Sequence, residues 1–499
     1  MKTLKKDRMT MPDFQTFIHL YEEAAQPCRY QKVAAALEAG IEQRLFLPGQ
    51  ALPTQRALAA ALGLTVGTVT HGYAEAARRG LVTGVTGRGT FVRASRPDVD
   101  VLPPAPSPVD GPDKGPFACP RETAETNDGD SQPLWNLGFI APFEHLNPAL
   151  LDGLSHLLST LPPEELAALQ SYQRPGGMEK HREAGARWAR RCGAAVSGQE
   201  PLICAGSQHA LVTILMSLCS PGERIAAETL SYPLLRQLAW RLRLNLASVR
   251  TDASGMLPDA LDQVCRNGGV RAVYLMPSCR NPTLTCMPET RRRDLAEVCR
   301  RHDLLIIEDD VFALAVDTGR ALPTFSALTP ERTCFIAATS EILGGGLRVA
   351  YLCPPQEYRE ELERTISYTL SMVPPLMAEL ASQWILDGTA DRVLEAKRRE
   401  AAARNLLAQE LLDGCGLVSR RTGFFCWLPL PEPWTGIQFA DAARQQGLLV
   451  AEGEHFLTGH AAQGHGVRLA LGGIEDRDTL AEALRTVVRL LDSRPAVRS

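Results

Sequence analysis

The run Phe335–Leu352, FIAATSEILGGGLRVAYL, decides how this chain folds. Phe335–Ala338 is apolar, Gly344–Gly346 is a triple glycine that regular elements disfavour, and Leu347–Leu352 is a second apolar run interrupted by Arg348. Strand, glycine-rich turn, strand is the reading. The same alternation continues outward. Leu202–Ala205, Arg224–Ala227, Ala272–Met276 and Leu304–Glu308 read as buried strands, with Gln208–Leu218 and Pro288–Arg301 as helices between them. Such alternation predicts an α/β domain on a mainly parallel sheet over about residues 134–499. Residues 390–412 read as one long charged helix, and strands near Gly423–Leu428 and Val467–Leu471 close the chain. The division expected is a large part, about 134–385, and a smaller α+β part, about 386–499.

The head of the chain is different in kind. Residues 13–45 carry apolar residues at helical spacing, Val33, Ala36, Leu37, Gly40 and Ile41 among them. Leu47–Gly49 is a turn, Thr54 caps a helix Gln55–Leu62 that stops at Gly63, and Thr65 caps another that runs to about Arg79 and Gly80. Helix, short turn, helix is helix-turn-helix spacing. Leu81-Val82 and Thr90–Val92 then read as two short strands around the basic tip Thr86–Gly89, a wing. Residues 1–96 hold 13 Lys and Arg against 7 Asp and Glu, a net of +6, which leaves −10 for the rest of a chain whose net charge is −4. A basic head on an acidic body suits a nucleic-acid-binding module joined to a metabolic domain. Residues 1–94 are the expected head, and the Pro-, Asp- and Gly-rich stretch 95–133 is an extended linker.

Composition narrows the function classes. A chain of 499 residues suggests two to four domains. No apolar run reaches the roughly 18–20 residues of a membrane span, and the amino terminus lacks the apolar core of a secretory signal. The 13 cysteines form no CxxC pair, so neither a disulfide framework nor a metal site is expected, and a cytoplasmic setting is.

Over about residues 25–93 the run LPTQRALAAALGLTVGTVTHGYAEAARRGLV followed by GRGTFV resembles the GntR family of winged-helix regulators. The resemblance implies a double-stranded DNA operator as partner, the second helix of the pair in the major groove and the wing tip near the minor groove. It implies DNA contacts from Arg56, Thr65, Thr68, Arg88 and Gly89, with Tyr73 falling to the core. The arginine that the family usually carries just after the recognition-helix cap is Val66 here, which predicts an altered operator preference.

The body resembles fold-type I aminotransferases, which with the head makes the whole similar to the MocR-type subfamily of GntR regulators. The resemblance implies pyridoxal 5'-phosphate as the ancestral cofactor and homodimers with sites at the interface. Gly206 and Ser207 match the phosphate cradle, Tyr232 the aromatic that stacks on the ring, and Asn281 the donor to the ring oxygen. Asp309 matches the partner of the ring nitrogen, Arg348 the phosphate-binding arginine and Arg468 the arginine that grips a substrate carboxylate. Tyr172 matches a tyrosine that reaches the partner subunit's cofactor.

Four positions depart from the family pattern. Seven residues before Arg348, where the imine-forming lysine belongs, stands Glu341. The family's tyrosine three residues after the aspartate is Phe312, its first serine in the lysine segment is Ala338, and a glycine after Asn-Pro-Thr is Leu284. A carboxylate cannot form an imine. Lys180 and Lys397, the lysines of the body, sit on charged helical stretches patterned as solvated faces, so neither is expected near the site, and Lys114 lies in the linker. No catalytic residue is therefore assigned, and turnover is not expected. The reading is a DNA-binding transcription regulator whose body dimerises and senses a small effector. That effector is an amine or a vitamin B6 form, pyridoxal or pyridoxamine phosphate held without a covalent link, with Asp309, Glu341 and Arg468 around it. The competing readings are a working aminotransferase fused to a DNA-binding head, against which Glu341 argues, and a body that only dimerises.

Overall fold

The computed structural model describes residues 14–24, 28–43, 45–46, 50–78, 81–85, 89–92, 135–196, 201–316, 322–459 and 465–493. The linker 95–133, the turn 47–49, Gly80 and the wing tip with Arg88 lie outside the described residues. Two units separate, residues 1–103 and 104–499.

In the first unit, α1 (Phe14–Glu23) and α2 (Arg29–Glu42) precede the helix pair α3 (Gln55–Leu62) and α4 (Val66–Arg78), followed by β1 (Val82–Val85) and β2 (Gly89–Val92). The cap chemistry is what the sequence calls for: Thr54 Oγ1 accepts from Ala57 N–H, and Gly63 ends α3 at φ 62°. Val33, Leu37, Leu58, Val69, Tyr73 and Val82 share one buried core. Gly72 lets α4 cross α2 closely, since a Cβ there would lie 2.6 Å from the Val33 side chain. The β1–β2 pair is antiparallel, Val82 opposite Val92 and Val85 opposite Gly89.

The second unit is built on a seven-stranded sheet. Its strands are β3 (Leu202–Cys204), β4 (Arg224–Glu228), β5 (Asn245–Val249), β6 (Val270–Leu275), β7 (Leu305–Asp309), β8 (Thr333–Ala338) and β9 (Ala350–Cys353). Their order across the sheet is β3-β9-β8-β7-β6-β4-β5. The four pairings from β5 through β4, β6 and β7 to β8 are parallel, and β9 runs antiparallel to both neighbours. The sheet is thus mixed, mainly parallel with one reversed strand. The reversal follows from the quoted stretch itself, because a helical turn, Ser340–Leu343, and a 3-10 turn, Gly345–Leu347, bring the chain back from β8 into an adjacent antiparallel β9. The strands are buried along almost their whole length, as strands covered on both faces must be.

The helix α5 (Ser207–Leu218) follows β3, and the 23-residue helix α6 (Thr389–Leu411) leads to the smaller part. There β10 (Phe425–Pro429), β11 (Ala451–Glu452) and β12 (Gly466–Ala470) form an antiparallel sheet with β12 in the middle. Among the described residues no helix is long and apolar enough to cross a membrane.

Candidate functional site

Parallel strands bring their C-terminal ends to one edge of a sheet, and that edge is where α/β folds place ligands. Here it gathers Gly206 after β3, Asn281 after β6, Asp309 at the end of β7, and Glu341 after β8.

Gly206 caps α5 at φ 84° and ψ 170°. A Cβ at this position would lie 2.5 Å from Arg348 Nη2, so only glycine lets that guanidinium settle on the backbone. Arg348, itself at φ 53°, donates from Nη2 to Ala205 O at 3.2 Å. A helix N-terminus favours negative charge, and an exposed arginine beside it suits an anion. Gln208 Nε2 donates to the Tyr232 hydroxyl at 3.1 Å, which ties the ring-stacking candidate to the same helix start. Burial pushes the Tyr232 phenol up to about 12, so it stays protonated. His209 belongs here too, although nothing in the sequence singled it out. Its Nδ1 accepts from Ala205 N–H at 3.1 Å, so the ring is neutral and Nε2 donates to Thr369 Oγ1 at 2.8 Å. Burial, then the nearby Arg348, lowers its pKa in agreement.

Three acids follow one another at the end of β7, and they have different tasks. Glu308 accepts from the backbone N–H groups of Phe325 and Ser326 at 2.9 and 2.8 Å. Asp310 accepts from Ser278 N–H at 3.1 Å and is bonded to the Ser278 hydroxyl. Asp309 is the one left facing the site. Its Oδ2 accepts from the Tyr274 hydroxyl at 2.6 Å, while Oδ1 is buried and accepts no hydrogen bond among the described residues. Burial raises its carboxyl to about 7, against the Tyr274 hydrogen bond that lowers it.

Glu341 lies on a short helical turn, Ser340–Leu343. The residue is half-buried, but its Oε2 is fully buried and accepts no hydrogen bond among the described residues. Burial lifts the carboxyl to about 7, opposed first by Lys397, then by Ser340 and Arg468. This corrects one expectation. Lys397 is not on a solvated face: it is wholly buried, and its Nζ donates to Asn147 Oδ1 at 2.7 Å and to the main-chain oxygen of Glu341 at 3.0 Å. Burial draws its ammonium down to about 8, with Glu341 and Glu144 pulling the other way. The amine absent from position 341 has a neighbour 56 residues further along. Lys180, by contrast, is part-exposed and pairs with Glu165 and Glu379.

Arg468, from β12, is buried between the rings of Phe425 and Phe456, 5.8 and 5.1 Å from their centroids. Nη1 donates to Asn281 Oδ1 at 2.9 Å and Nη2 bonds Gly138 O. Burial lowers its pKa to about 9, against Glu341. With its Oδ1 engaged by the arginine, the Asn281 amide is turned to present N–H groups elsewhere. Phe312 meets Phe425 edge-on at 5.2 Å, so the ring that replaced the family's tyrosine packs in this aromatic group. Leu284 takes φ 53° and is buried against Gly423, so a leucine here holds a left-handed backbone conformation that glycine would favour. Ala338 is buried on β8, its carbonyl accepting from Trp188 Nε1 at 3.0 Å. Tyr172 is 91% exposed.

In the first unit Arg56 and Gly89 are exposed. Thr65 Oγ1 accepts from Thr68 N–H at 3.2 Å, and the two hydroxyls are 2.9 Å apart, so Thr68 serves the start of α4. Val66 stands 44% exposed where a family arginine is missing. Tyr73 donates to Pro53 O at 2.8 Å in the core.

The residues present fit part of a vitamin B6 coenzyme. An anion cradle, an open carboxylate oxygen for a ring N–H, and an amide for the ring oxygen suit the phosphate and pyridine. A carboxylate at position 341 does not suit covalent attachment.

This fold and this site define a class. The chain belongs to the aminotransferase class I and II family, matched over residues 162–485. Residues 29–92 match the bacterial regulatory proteins of the gntR family, and the combination is the MocR type of regulator. The chain is 29% identical over 94% of its length, and 96% of the other, to the uncharacterized HTH-type transcriptional regulator YdeF of Bacillus subtilis. It is 25% identical to the HTH-type pyridoxine biosynthesis transcriptional regulator PdxR of Corynebacterium glutamicum, covering 90% of this chain and 92% of that one. The kynurenine aminotransferase of Pyrococcus horikoshii has the same fold as the body, with a TM-score of 0.67 at 21% identity over 74% of this chain and 92% of that one.

Proposed function

We propose that this chain is a DNA-binding transcription regulator whose aminotransferase-like body binds an amine of the vitamin B6 type without a covalent link and does not turn it over. The observation that carries the ligand reading is a pair of buried carboxylate oxygens, Asp309 Oδ1 and Glu341 Oε2, that accept no hydrogen bond among the described residues. Buried carboxylate oxygens are costly unless paired. A ligand with a ring N–H for one, an ammonium for the other and a phosphate for Arg348 and the start of α5 supplies the missing partners. Pyridoxamine 5'-phosphate has all three groups, and pyridoxal 5'-phosphate lacks the ammonium.

Bound here, the coenzyme's aldehyde form would supply an electrophilic carbonyl beside an electron-withdrawing ring. The chain's own contribution stops at binding. Glu341 offers a carboxylate where transamination needs an amine to exchange, and Arg468 is engaged by Asn281 and Gly138. Proteins of the same family at this length include a regulator named for pyridoxine biosynthesis, which supports a vitamin B6 ligand.

In the first unit, exposed Arg56 and Gly89 and the start of α4 support contact with a double-stranded operator, with Arg88 expected on the wing tip. Calorimetric titration of the whole chain tests the ligand. Pyridoxamine 5'-phosphate is expected to bind more tightly than pyridoxal 5'-phosphate, and a preference for the aldehyde, or no binding of either, would overturn the reading.

One observation favours the working aminotransferase instead, the buried amine of Lys397. Its Nζ is committed to Asn147 and to the main chain of Glu341, which argues against it. Amino-group transfer from amino-acid donors that vanished in Lys397→Met would establish that second function.

A further inference from the structure

The carboxylate that faces a ligand's ring nitrogen is not held by its own strand. β6 and β7 are parallel neighbours, and Tyr274 lies opposite Ile307, two residues before Asp309. Residues two apart on a strand share a face, so the tyrosine and Asp309 are diagonal neighbours on one side of the sheet, within reach of a long side chain. Tyr274 is 1% exposed, its hydroxyl has Asp309 Oδ2 as partner at 2.6 Å, and Asp309 Oδ1 has none among the described residues. Asp310, one residue on, is occupied by Ser278 and cannot take the same place.

We propose that Tyr274 is the positioning residue of this site: by donating to Oδ2 it turns Oδ1 toward the ligand and keeps the carboxylate an acceptor for a protonated ring nitrogen. The inference rests on the ring-binding reading above. The role matters because the surroundings oppose it. Asp309 is buried, Asp310 lies beside it, Glu341 faces it from the turn after β8, and the Tyr232 phenol lies near. Of the cations of the site, Lys397 and Arg468 act on Glu341, and Arg348 lies at the start of α5 and acts on Tyr232. A phenolic donor is therefore the neighbour that favours the ionised form, since a hydrogen bond to a carboxylate lowers the cost of its charge.

The test compares the full chain with Tyr274→Phe, which keeps the ring and removes the hydroxyl. Pyridoxamine 5'-phosphate is titrated between pH 6 and 8.5, and the absorption and fluorescence of the bound ligand report whether its ring nitrogen is protonated. Loss of one charge-assisted hydrogen bond is expected to weaken binding about tenfold at pH 7. It is also expected to move the midpoint of the pH profile up by about one unit, with a bound-ligand spectrum shifted toward the unprotonated ring. In an Asp309→Asn background the same substitution is expected to change neither quantity, because the group it acts through is gone. A Tyr274→Phe chain with a wild-type pH midpoint and spectrum, whether or not it is less stable, would overturn the role of Tyr274 while leaving the ligand reading intact. Failure of the wild-type chain to bind would overturn both.

Discussion

At the scale of single residues, the site is a set of charges held where water cannot relieve them. In the folded chain burial raises the carboxyls of Asp309 and Glu341 to about 7, from ordinary values of 3.8 and 4.5. A carboxyl with a raised folded pKa binds its proton more tightly folded than unfolded. Its contribution to stability is complete below the unfolded pKa and is lost as pH rises through about 7. The ligand-free chain should therefore melt at falling temperature between pH 4.5 and 7.5, and the double variant Asp309→Asn, Glu341→Gln should show a shallower fall. Parallel curves for the two chains by thermal denaturation would contradict this. An amine ligand changes the sign, since it needs both carboxylates ionised, and its affinity should rise with pH through the same window.

Lys397 carries a second prediction at this scale. Its ammonium joins Asn147, the main chain of Glu341 and helix α6 at one point. Lys397→Met removes the donor from two acceptors, which costs roughly 1–3 kcal/mol by denaturant unfolding. It also takes away the cation that most opposes Glu341's proton uptake, so amine binding at pH 7 should weaken. Unchanged unfolding and unchanged affinity together would show that the amine is a passenger.

At the scale of elements, what could be read in advance depended on how much of each residue's environment is local. The strands and helices around the sheet are found within a few residues of their expected limits, because a strand buried on both faces is a continuous apolar run. Glu341 was visible because the spacing to Arg348 fixes its place in the turn. Lys397 was hidden for the opposite reason. In DRVLEAKRREAAARNLLAQ charges recur every few residues, and no count of them says which one faces inward. The signal was in the apolar partners: Ala390, Val393, Leu394, Ala401 and Ala408 are buried at helical spacing on α6, and Lys397 and Arg404 fall on that same stripe. Tyr274 was masked similarly, as one more aromatic in an apolar strand.

The helix pair of the head gives a prediction of this kind. Gly72 sits against Val33 with no room for a Cβ, and its φ is an ordinary helical one, so the crossing of α2 and α4 rests on glycine for space and not for backbone freedom. Gly72→Ala gains about 1 kcal/mol of helix propensity, yet overpacking of a core costs typically 1–3 kcal/mol. The net is a head with a lower melting temperature and weaker DNA binding, read by circular dichroism and a mobility shift. A head that melts higher would mean that the helices part without cost.

At the scale of the whole molecule, the question is what covers the apolar surface of the body. Helix Leu150–Thr160 buries Gly153 and Leu157, and a Cβ at Gly153 would meet Leu380 and Trp384. Its other side leaves Leu151 and Leu158, seven residues apart on the helix, 75% and 67% exposed, with Leu150 beside them and the exposed rings of Tyr172 and Tyr368 elsewhere on the unit. Leucines on one helix face that none of the described residues covers are a liability for a monomer. A second copy of the chain is the occupant proposed here, because a homodimer would also offer two DNA-reading heads to paired half-sites and would give the exposed Tyr172 the partner that the family resemblance implies for it. Leu151→Glu with Leu158→Glu should shift the sedimentation of the full chain from dimer to monomer at micromolar concentration. It should weaken binding to a two-half-site operator far more than binding to a single half-site. Arg56→Ala is the contrast: it should leave the dimer intact, weaken both operators alike and reduce the salt dependence by about one unit of slope. A Glu variant that stays dimeric would move the interface to another face of the body.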